Sequence, residues 1–329
     1  MTQEPGEVAF HLPALARETM ELLELRPGQI VADATAGGGG HALLMAERIR
    51  PGGTLILMDR DPDALAEAKR RVPADSIRLI TVLGNFRRIA SLLAEIGIYT
   101  VDRVLMDLGV SSHQLDTPER GFSFRWDAPL DMRMGPDAGP SAADLLAQAT
   151  ERELAHLLKE YADERWAQRI SRFIVRAREK APIRTTGELA GIVAQAIPKA
   201  AWPREIHPAT RTFLALRMAV NDELGALQEG LEQAVRLLRA PGGRVAVIAY
   251  HSSEDRVAKQ VFRKLSGRCQ CPPRAPACTC GAVNMVRLVT RKPVVPTEGE
   301  VAANPRSRSA RLRVAERLQA EMEGMASTA

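Results

Sequence analysis

Nowhere in the 329 residues does an apolar run approach the roughly 20 residues a helix needs to cross a bilayer, so no membrane partner is expected. The N-terminus carries Glu4 and Glu7 with no long apolar segment behind them. That is not the pattern of a secretory leader, and the cytoplasm is the expected compartment. Cysteine is scarce: Cys269, Cys271, Cys278 and Cys280 are crowded into one stretch, which is no disulfide framework for a chain of this length. Two phosphate-binding signatures are missing as well. No Gly-Lys-Ser/Thr follows a glycine-rich turn, and no glycines are spaced G-x-G-x-x-G, which disfavours a triphosphate or a dinucleotide pyrophosphate as ligand. Charge of neither sign dominates. A net charge of +5, with 45% apolar and 26% charged residues, describes a globular protein of one large or two modest domains that can accept a polyanionic partner.

What is present centres on Val31-Ala-Asp-Ala-Thr-Ala-Gly-Gly-Gly-Gly-His41. An apolar run ends at Asp33, the glycines Gly37, Gly38, Gly39 and Gly40 follow, and a helical pattern starts at His41. This order reads as strand, tight turn and helix start. The next apolar run ends at Asp59, whose carboxylate suits a ribose diol. Turn and acid together indicate a nucleoside cofactor; a close helix–strand packing turn is the alternative. Asp33 beside the turn complements a cationic or zwitterionic ligand better than a pyrophosphate. S-adenosylmethionine, with its sulfonium and amino group, has that charge, and NAD is the second choice.

Strands are expected at about 29–33, 54–59, 77–82, 101–107 and 244–250, in compact apolar runs suited to a buried parallel sheet. Two short strands, about 285–291 and 310–315, complete it antiparallel to each other. The expected fold class is therefore α/β, a Rossmann-like, mostly parallel sheet with an antiparallel edge. Phe86, after the third strand, either flanks an adenine or packs. The segment 108–134 is too long for a plain connection and, with Phe122, Phe124 and Trp126, too apolar for disorder. It reads as a substrate-facing loop at the carboxyl end of the fourth strand. From Ser141 the period becomes helical, with patterns at about 151–160, 163–179 and 186–196, and an inserted helical subdomain is expected because a sheet-type strand returns later. Arg165, Arg169, Arg172, Arg176 and Arg178 give this block a basic face, either solvated or phosphate-binding.

Several long, low-degeneracy runs carry a family resemblance. They include Asp33-Ala-Thr with Gly39-Gly-His41, Asp59-Arg-Asp-Pro62, Asp107-Leu-Gly-Val-Ser-Ser112 and Gln114-Leu-Asp116. Others are Glu119-Arg-Gly-Phe-Ser-Phe124, Pro129-Leu-Asp-Met-Arg-Met134, His207-Pro-Ala-Thr-Arg-Thr-Phe213, and His251-Ser252 with Glu254-Asp-Arg256. In this order the chain resembles the bacterial 16S ribosomal RNA cytosine-N4 methyltransferases, the MraW family. The resemblance implies a class I S-adenosylmethionine-dependent methyltransferase with its core at 1–122 and 216–317. It implies a helical substrate-recognition subdomain at 123–215, and residues 318–329 are expected to be a disordered tail. The implied reaction is methylation of N4 of a cytidine in the decoding region of 16S rRNA, within the small ribosomal subunit. Oligomeric state, monomer or homodimer, is left open. The implied cofactor contacts are Gly39, Gly40, His41, Asp59, Phe86, Asp107 and Gln114, to which the turn itself adds Asp33 and Gly38. Three positions depart from the family's usual pattern: His113 replaces proline, Tyr250 replaces phenylalanine and Ser253 replaces leucine.

The N4 amine of cytosine is a poor nucleophile because its lone pair is delocalised into the ring. A site must align it with the donor methyl and accept an N–H as positive charge develops. Asp107 is the candidate acceptor, unless it binds the cofactor's amino group; backbone carbonyls near Leu108-Gly109 are the alternative. His251 is a candidate proton acceptor by its near-neutral reference pKa, with a structural strand-end cap as the competing role. Arg120, Arg125, Arg133, Arg211 and Arg217 are candidates for rRNA phosphates, and Trp126, with Phe122 and Phe124, for base stacking. Spaced C-x-C, six residues, C-x-C, the four cysteines form a candidate structural zinc site, with metal-free thiols as the alternative. Two rival readings are a methyltransferase acting on another nucleic-acid base and an RNA-binding protein that keeps the cofactor fold without catalysis.

Overall fold

In the strand Arg103–Asp107, Val104 and Met106 join one buried cluster while Leu105 joins another. Successive side chains leave a strand on opposite faces. An unbroken apolar run therefore means that both faces are covered, as a parallel sheet between helical layers requires. The computed structural model describes residues 13–203, 205–269, 271, 279 and 283–319. The expected 318–329 tail lies outside them from residue 320 onward.

In chain order the core opens with α1 (Ala16–Leu23), β1 (Ile30–Asp33), α2 (Gly40–Ile49), β2 (Thr54–Asp59), α3 (Pro62–Arg71), β3 (Arg78–Leu83), α4 (Ile89–Glu95) and β4 (Arg103–Asp107). A short α5 (Ser112–Asp116) lies in the long loop, followed by α6 (Ala142–Gln148), α7 (Glu151–Ala162), α8 (Ala167–Arg178), α9 (Thr186–Ala196) and α10 (Thr210–Asn221). The chain then returns to the sheet through α11 (Glu223–Leu237), β5 (Arg244–Ala249), α12 (Ser252–Leu265), β6 (Val286–Leu288), α13 (Glu298–Ala303) and β7 (Arg311–Arg317). The strand order is β3-β2-β1-β4-β5-β7-β6. Strands β1 to β5 pair in parallel, and β7 runs antiparallel to both β5 and β6. The order reverses between β1 and β4, and such a reversal opens a crevice at the carboxyl ends of the strands.

Local chemistry explains several boundaries. Asp61 caps α3, accepting from the Asp63 N–H at 3.1 Å, and Pro62 takes the first helical position, where its missing N–H costs nothing. Ser141, Thr150 and Thr185 open α6, α7 and α9 with reciprocal capping boxes. Helix α13 falls in a stretch the sequence offers only as a connection, because six residues are too few for a periodic apolar face. Its Glu300 accepts the Leu15 N–H at 2.7 Å and so ties the start of α1 to the far edge of the sheet.

Helices α1, α2 and α3 cover one face through Leu23, Met45 and Leu65; α4, α11 and α12 cover the other through Leu93, Leu231 and Phe262. A third core is separate from both. It joins Phe122, Leu130, Met132 and Met134 of the long loop to Leu146, Leu158, Ile170, Val193 and Leu216 of the helical block. Those loop residues are ordered because they are the floor of that core. Among the described residues no helix is long and apolar enough to cross a membrane.

Candidate active site

Four strand ends deliver acids or their partners to one edge. Strand β1 ends in Asp33, which is fully enclosed, and the chain then turns through the glycines into α2. At Gly39, φ is +80°, and an added Cβ would stand 3.0 Å from the Ala68 Cα on α3. A side chain there would force the turn off the helix, so the packing explanation of the glycines holds at this position. The turn is also tied to β2: the Gly37 N–H donates to Asp59 Oδ2 at 2.8 Å, and Asp59 Oδ1 accepts the Asp61 N–H at 2.9 Å. Burial, opposed by these hydrogen bonds, pushes the Asp59 carboxyl up to about 6. Each of its oxygens retains acceptor capacity beyond the one bond it makes.

Behind the turn, Asp33 and His41 are buried, and the partly exposed Asp107 stands beside them. Burial pushes the Asp33 carboxyl up to about 7, against the pull of His41 and of the Thr35 N–H at 3.2 Å. His41 is 4% exposed, and among the described residues neither ring nitrogen finds a hydrogen-bond partner; its Nε2 lies 3.5 Å from Asp107 Oδ2. Asp107 is anchored twice, its N–H donating to Thr35 Oγ1 at 2.6 Å and its Oδ1 accepting from the Tyr250 hydroxyl at 2.9 Å. At the sequence level Tyr250 is a mild replacement of one aromatic by another. Its hydroxyl makes a bond that phenylalanine cannot, and only the β4–β5 pairing reveals it. Tyr250→Phe is expected to lower kcat by about tenfold or more, the value of one hydrogen bond to a charged group, with no change in fold. An unchanged kcat in single-turnover assays would take Tyr250 out of the site.

His251 opens α12, and its backbone N–H, like that of Tyr250, donates to Glu254 Oε2 at 2.9 Å. Its Nδ1 lies 2.9 Å from Ser253 Oγ, which in turn lies 3.2 Å from the Tyr161 carbonyl. Nδ1 is thus engaged in the fold, and Nε2 is the nitrogen left for chemistry. Nδ1 also accepts the Ser253 N–H at 3.5 Å, so the ring caps α12 as a structural strand-end histidine would; Nε2 is an acceptor only in the tautomer whose Nδ1 proton goes to the serine hydroxyl. Burial, helped by Arg217 and Arg211 and opposed by Asp163, holds the His251 pKa below the usual histidine value, so the ring is neutral at pH 7. Leucine at position 253 could make neither contact.

The arginine candidates separate into two groups. Arg217 is bidentate to Glu223, both distances 2.8 Å, and lies 3.8 Å from Glu254 Oε1. Burial pushes the Glu254 carboxyl up to about 7 even with Arg217 beside it. Arg120 reaches the enclosed Asp61 at 2.9 Å and the carbonyls of Arg133 and Met134. Gln114 Nε2 donates to the same Asp61 oxygen at 2.7 Å, while its Oε1 accepts the Ser111 N–H at 3.0 Å. Gln114 and Arg120 therefore clamp the loop after β4 to the end of β2, and Arg133 pairs with Asp131 at 2.7 Å. Arg120 and Arg217 thus each meet an internal carboxylate, whereas Arg133 sits in a partly exposed pair. Arg125, Arg211 and Trp126 stand exposed. Phe122 is a buried plug, and Phe124 packs on Phe213 and His207, both at 4.8 Å between ring centres. His113 is exposed at the second position of α5, in the first turn, where proline is also tolerated.

A cleft of about 2260 Å³ runs over this edge, lined by Asp33, Gly38, Gly40, His41, Asp59, Phe86, Asp107 and Gln114, and farther along by Arg125, Tyr250 and His251. Of the cofactor candidates only Gly39 is set back from it. A buried carboxyl near neutrality beside an imidazole without hydrogen bonds is an arrangement that a ligand ammonium would complete, so the residues fit S-adenosylmethionine. A pH dependence follows. Below pH 7 Asp33 carries a proton that a cation must displace, so cofactor affinity is expected to rise with pH and to be about tenfold weaker at pH 6 than at pH 8. Calorimetry in two buffers checks this through proton release; affinity independent of pH over that interval would remove Asp33 from the ammonium site.

For the cysteines, the Cys271 N–H donates to Cys269 Sγ at 3.4 Å and the Thr279 N–H to Cys271 Sγ at 3.3 Å. Cys278 and Cys280 lie outside the described residues, and among the described ones no three His, Cys, Asp or Glu side chains come together as a metal site.

The sequence model of the MraW methylase family matches residues 8–318. A Geobacter sulfurreducens protein named Ribosomal RNA small subunit methyltransferase H is 53% identical over 308 residues, covering 94% of this chain and 99% of its own length. Proteins of the same name from Pelobacter propionicus and Geotalea daltonii are 52% and 51% identical, each over 94% of this chain and 98% of their own.

Proposed function

The chain belongs to the MraW methylase family, and from that membership and the cleft we infer that it is an S-adenosylmethionine-dependent methyltransferase acting on N4 of a cytidine in the decoding region of 16S rRNA. The observation that carries the reading is the convergence of Asp33, His41, Asp59, Asp107 and Tyr250 on a single cleft at the β1–β4 crevice. The rRNA is met within the small ribosomal subunit, in the cytoplasm, and the helical block 123–215 is its recognition subdomain.

The cofactor supplies an electrophilic methyl on a sulfonium. When bound, Asp33 and His41 would receive its charged amino-acid end and Asp59 its ribose hydroxyls, and Phe86 would flank its base. Thr35 holds the backbone of Asp107 and Tyr250 its Oδ1, so its carboxylate is preorganised to accept an N4–H as the amine becomes positive. His251 Nε2, neutral at pH 7, takes the departing proton. A full general base is not required, because the methylated amine is acidic enough to lose a proton to water. A base cannot react while stacked in rRNA and has to be presented singly; Arg125 and Arg211 hold the flanking backbone. The four cysteines are a candidate structural zinc site by their spacing, with metal-free thiols as the alternative, and the two N–H···S contacts at Cys269 and Cys271 suit thiolate sulfurs. Purified protein is then expected to contain one zinc per chain and to lose thermal stability on chelation; metal-free protein with four titratable thiols would overturn that assignment.

The test is methyl transfer from labelled S-adenosylmethionine to small subunits lacking the modification, followed by nucleoside analysis. N4-methylcytidine is the expected product. Label on another nucleoside would overturn the substrate, and absence of label with the cofactor bound would favour an RNA-binding protein without catalysis.

A further inference from the structure

A second cavity, about 500 Å³, opens on the helical block, within the range of small-ligand sites. Its walls combine two arginines, one carboxylate and ring or apolar side chains: Glu164, Arg165 and Trp166 from the turn before α8, Pro203, Ile206 and His207 from the segment before α10, and Arg211 from α10 itself. Both arginines are exposed. The flat groups are held in place before any ligand arrives. His207 Nδ1 accepts the Ala209 N–H at 3.1 Å, and its ring lies 4.8 Å from Phe124 and 6.1 Å from Trp202 between centres. Trp202 is pinned by its Nε1–H to the Ile197 carbonyl at 3.0 Å yet remains 36% exposed, and Ile206 is 45% exposed. Rigid aromatics left open to solvent beside guanidiniums match the chemistry of a nucleotide, a π-face with an anion attached.

The position of this cavity relative to the cleft selects which nucleotide. Ser123 and Arg125 line the cleft, while Phe124 between them packs on His207, so one loop forms a wall of both. On α10, Arg211 lines the side cavity and Leu214 the cleft; three residues along a helix advance about 4.5 Å, less than an extended nucleotide spans. The charge of Arg211 also reaches His251 in the cleft. A strand whose target base is withdrawn into the cleft loses a stacking partner for the next base. The side cavity offers a replacement within one step of chain.

We propose that this cavity receives the base of a nucleotide adjacent to the target cytidine on the same rRNA strand, with Arg211 on the phosphate between them. This rests on the methyltransferase reading above and adds where the flanking nucleotide goes. His207, with Nδ1 accepting from the backbone, presents Nε2–H as a donor to that base, and Trp166 offers the opposite stacking face.

The test uses the full-length enzyme and undermodified small subunits. Arg211→Ala and His207→Ala are each expected to raise KM for subunits about tenfold, with a far smaller change in kcat and with wild-type cofactor affinity and unfolding midpoint. In parallel, ultraviolet cross-linking of the wild-type enzyme to subunits is expected to join the 199–211 peptide to a nucleotide next to the target. An unchanged KM in both variants, or a cross-link to a distant rRNA segment, would overturn the proposal while wild-type turnover leaves the function intact. Wild-type enzyme that methylates no cytidine on the subunits would instead defeat the underlying reading.

Discussion

Asp107→Ala is expected to lower kcat for methyl transfer to undermodified small subunits by at least about a hundredfold, the scale of losing one preorganised charge-stabilising group. The expectation rests on the number of elements committed to that carboxylate. Thr35 fixes the backbone at 2.6 Å, Tyr250 fixes Oδ1 at 2.9 Å, and Oδ2 lies 3.5 Å from His41. Alanine also leaves the Tyr250 hydroxyl without its acceptor, which costs about 1–3 kcal/mol of stability. Loss of activity in that variant alone would therefore be ambiguous. Asp107→Asn resolves it, because an amide oxygen still accepts from Tyr250 while the negative charge is gone. Both variants are expected to be inactive, and only alanine to melt earlier. An asparagine variant keeping more than half of wild-type kcat would show that the carboxylate takes no part in the chemistry.

Arg217→Ala carries the second large effect, on the fold rather than on RNA. The guanidinium is 14% exposed and bidentate to Glu223, itself 11% exposed, with Glu254 at 2% beyond. Removing one partner of a buried ion pair leaves the other charge uncompensated, at about 3–5 kcal/mol. Here two carboxylates are stranded, although Glu254, already pushed to about 7, can escape part of the cost by taking a proton. Denaturant unfolding should register a loss of about 3 kcal/mol. The loss should also be smaller at pH 6 than at pH 8, because protonation neutralises Glu254 below its pKa. A wild-type unfolding midpoint combined with a shallower salt dependence of subunit binding would return Arg217 to the phosphate ligands.

Arg217 shows why the candidate site was only partly legible. A sequence displays an arginine near a predicted mouth but not the carboxylates that meet it: Glu223 comes six residues later, past the end of α10, and Glu254 comes only after β5, in the first turn of α12. Arg120 and Asp61, or Tyr250 and Asp107, are likewise brought together by strand order. Tyr250 and Ser253 were visible as departures from the family pattern, yet what each hydroxyl bonds to depended on neighbours 143 and 92 positions away in the chain.

The linear order of residues was sufficient for the sheet. Buried strands are continuous apolar runs, helices announce themselves by caps and periodicity, and glycines before a helix with acids closing two strands mark one end of a parallel sheet. These are local signals, carried by bonds between near neighbours, so they survive reading in one dimension. Tertiary structure alone decided which charges are spent internally and which remain for a ligand. It placed Asp33 out of water, committed Arg120 and Arg217 to carboxylates, left Arg125 and Arg211 exposed, and set a second cavity beside the first. Burial and pairing depend on distances between residues far apart in the chain, and those distances exist only once the sheet and the helical block have folded.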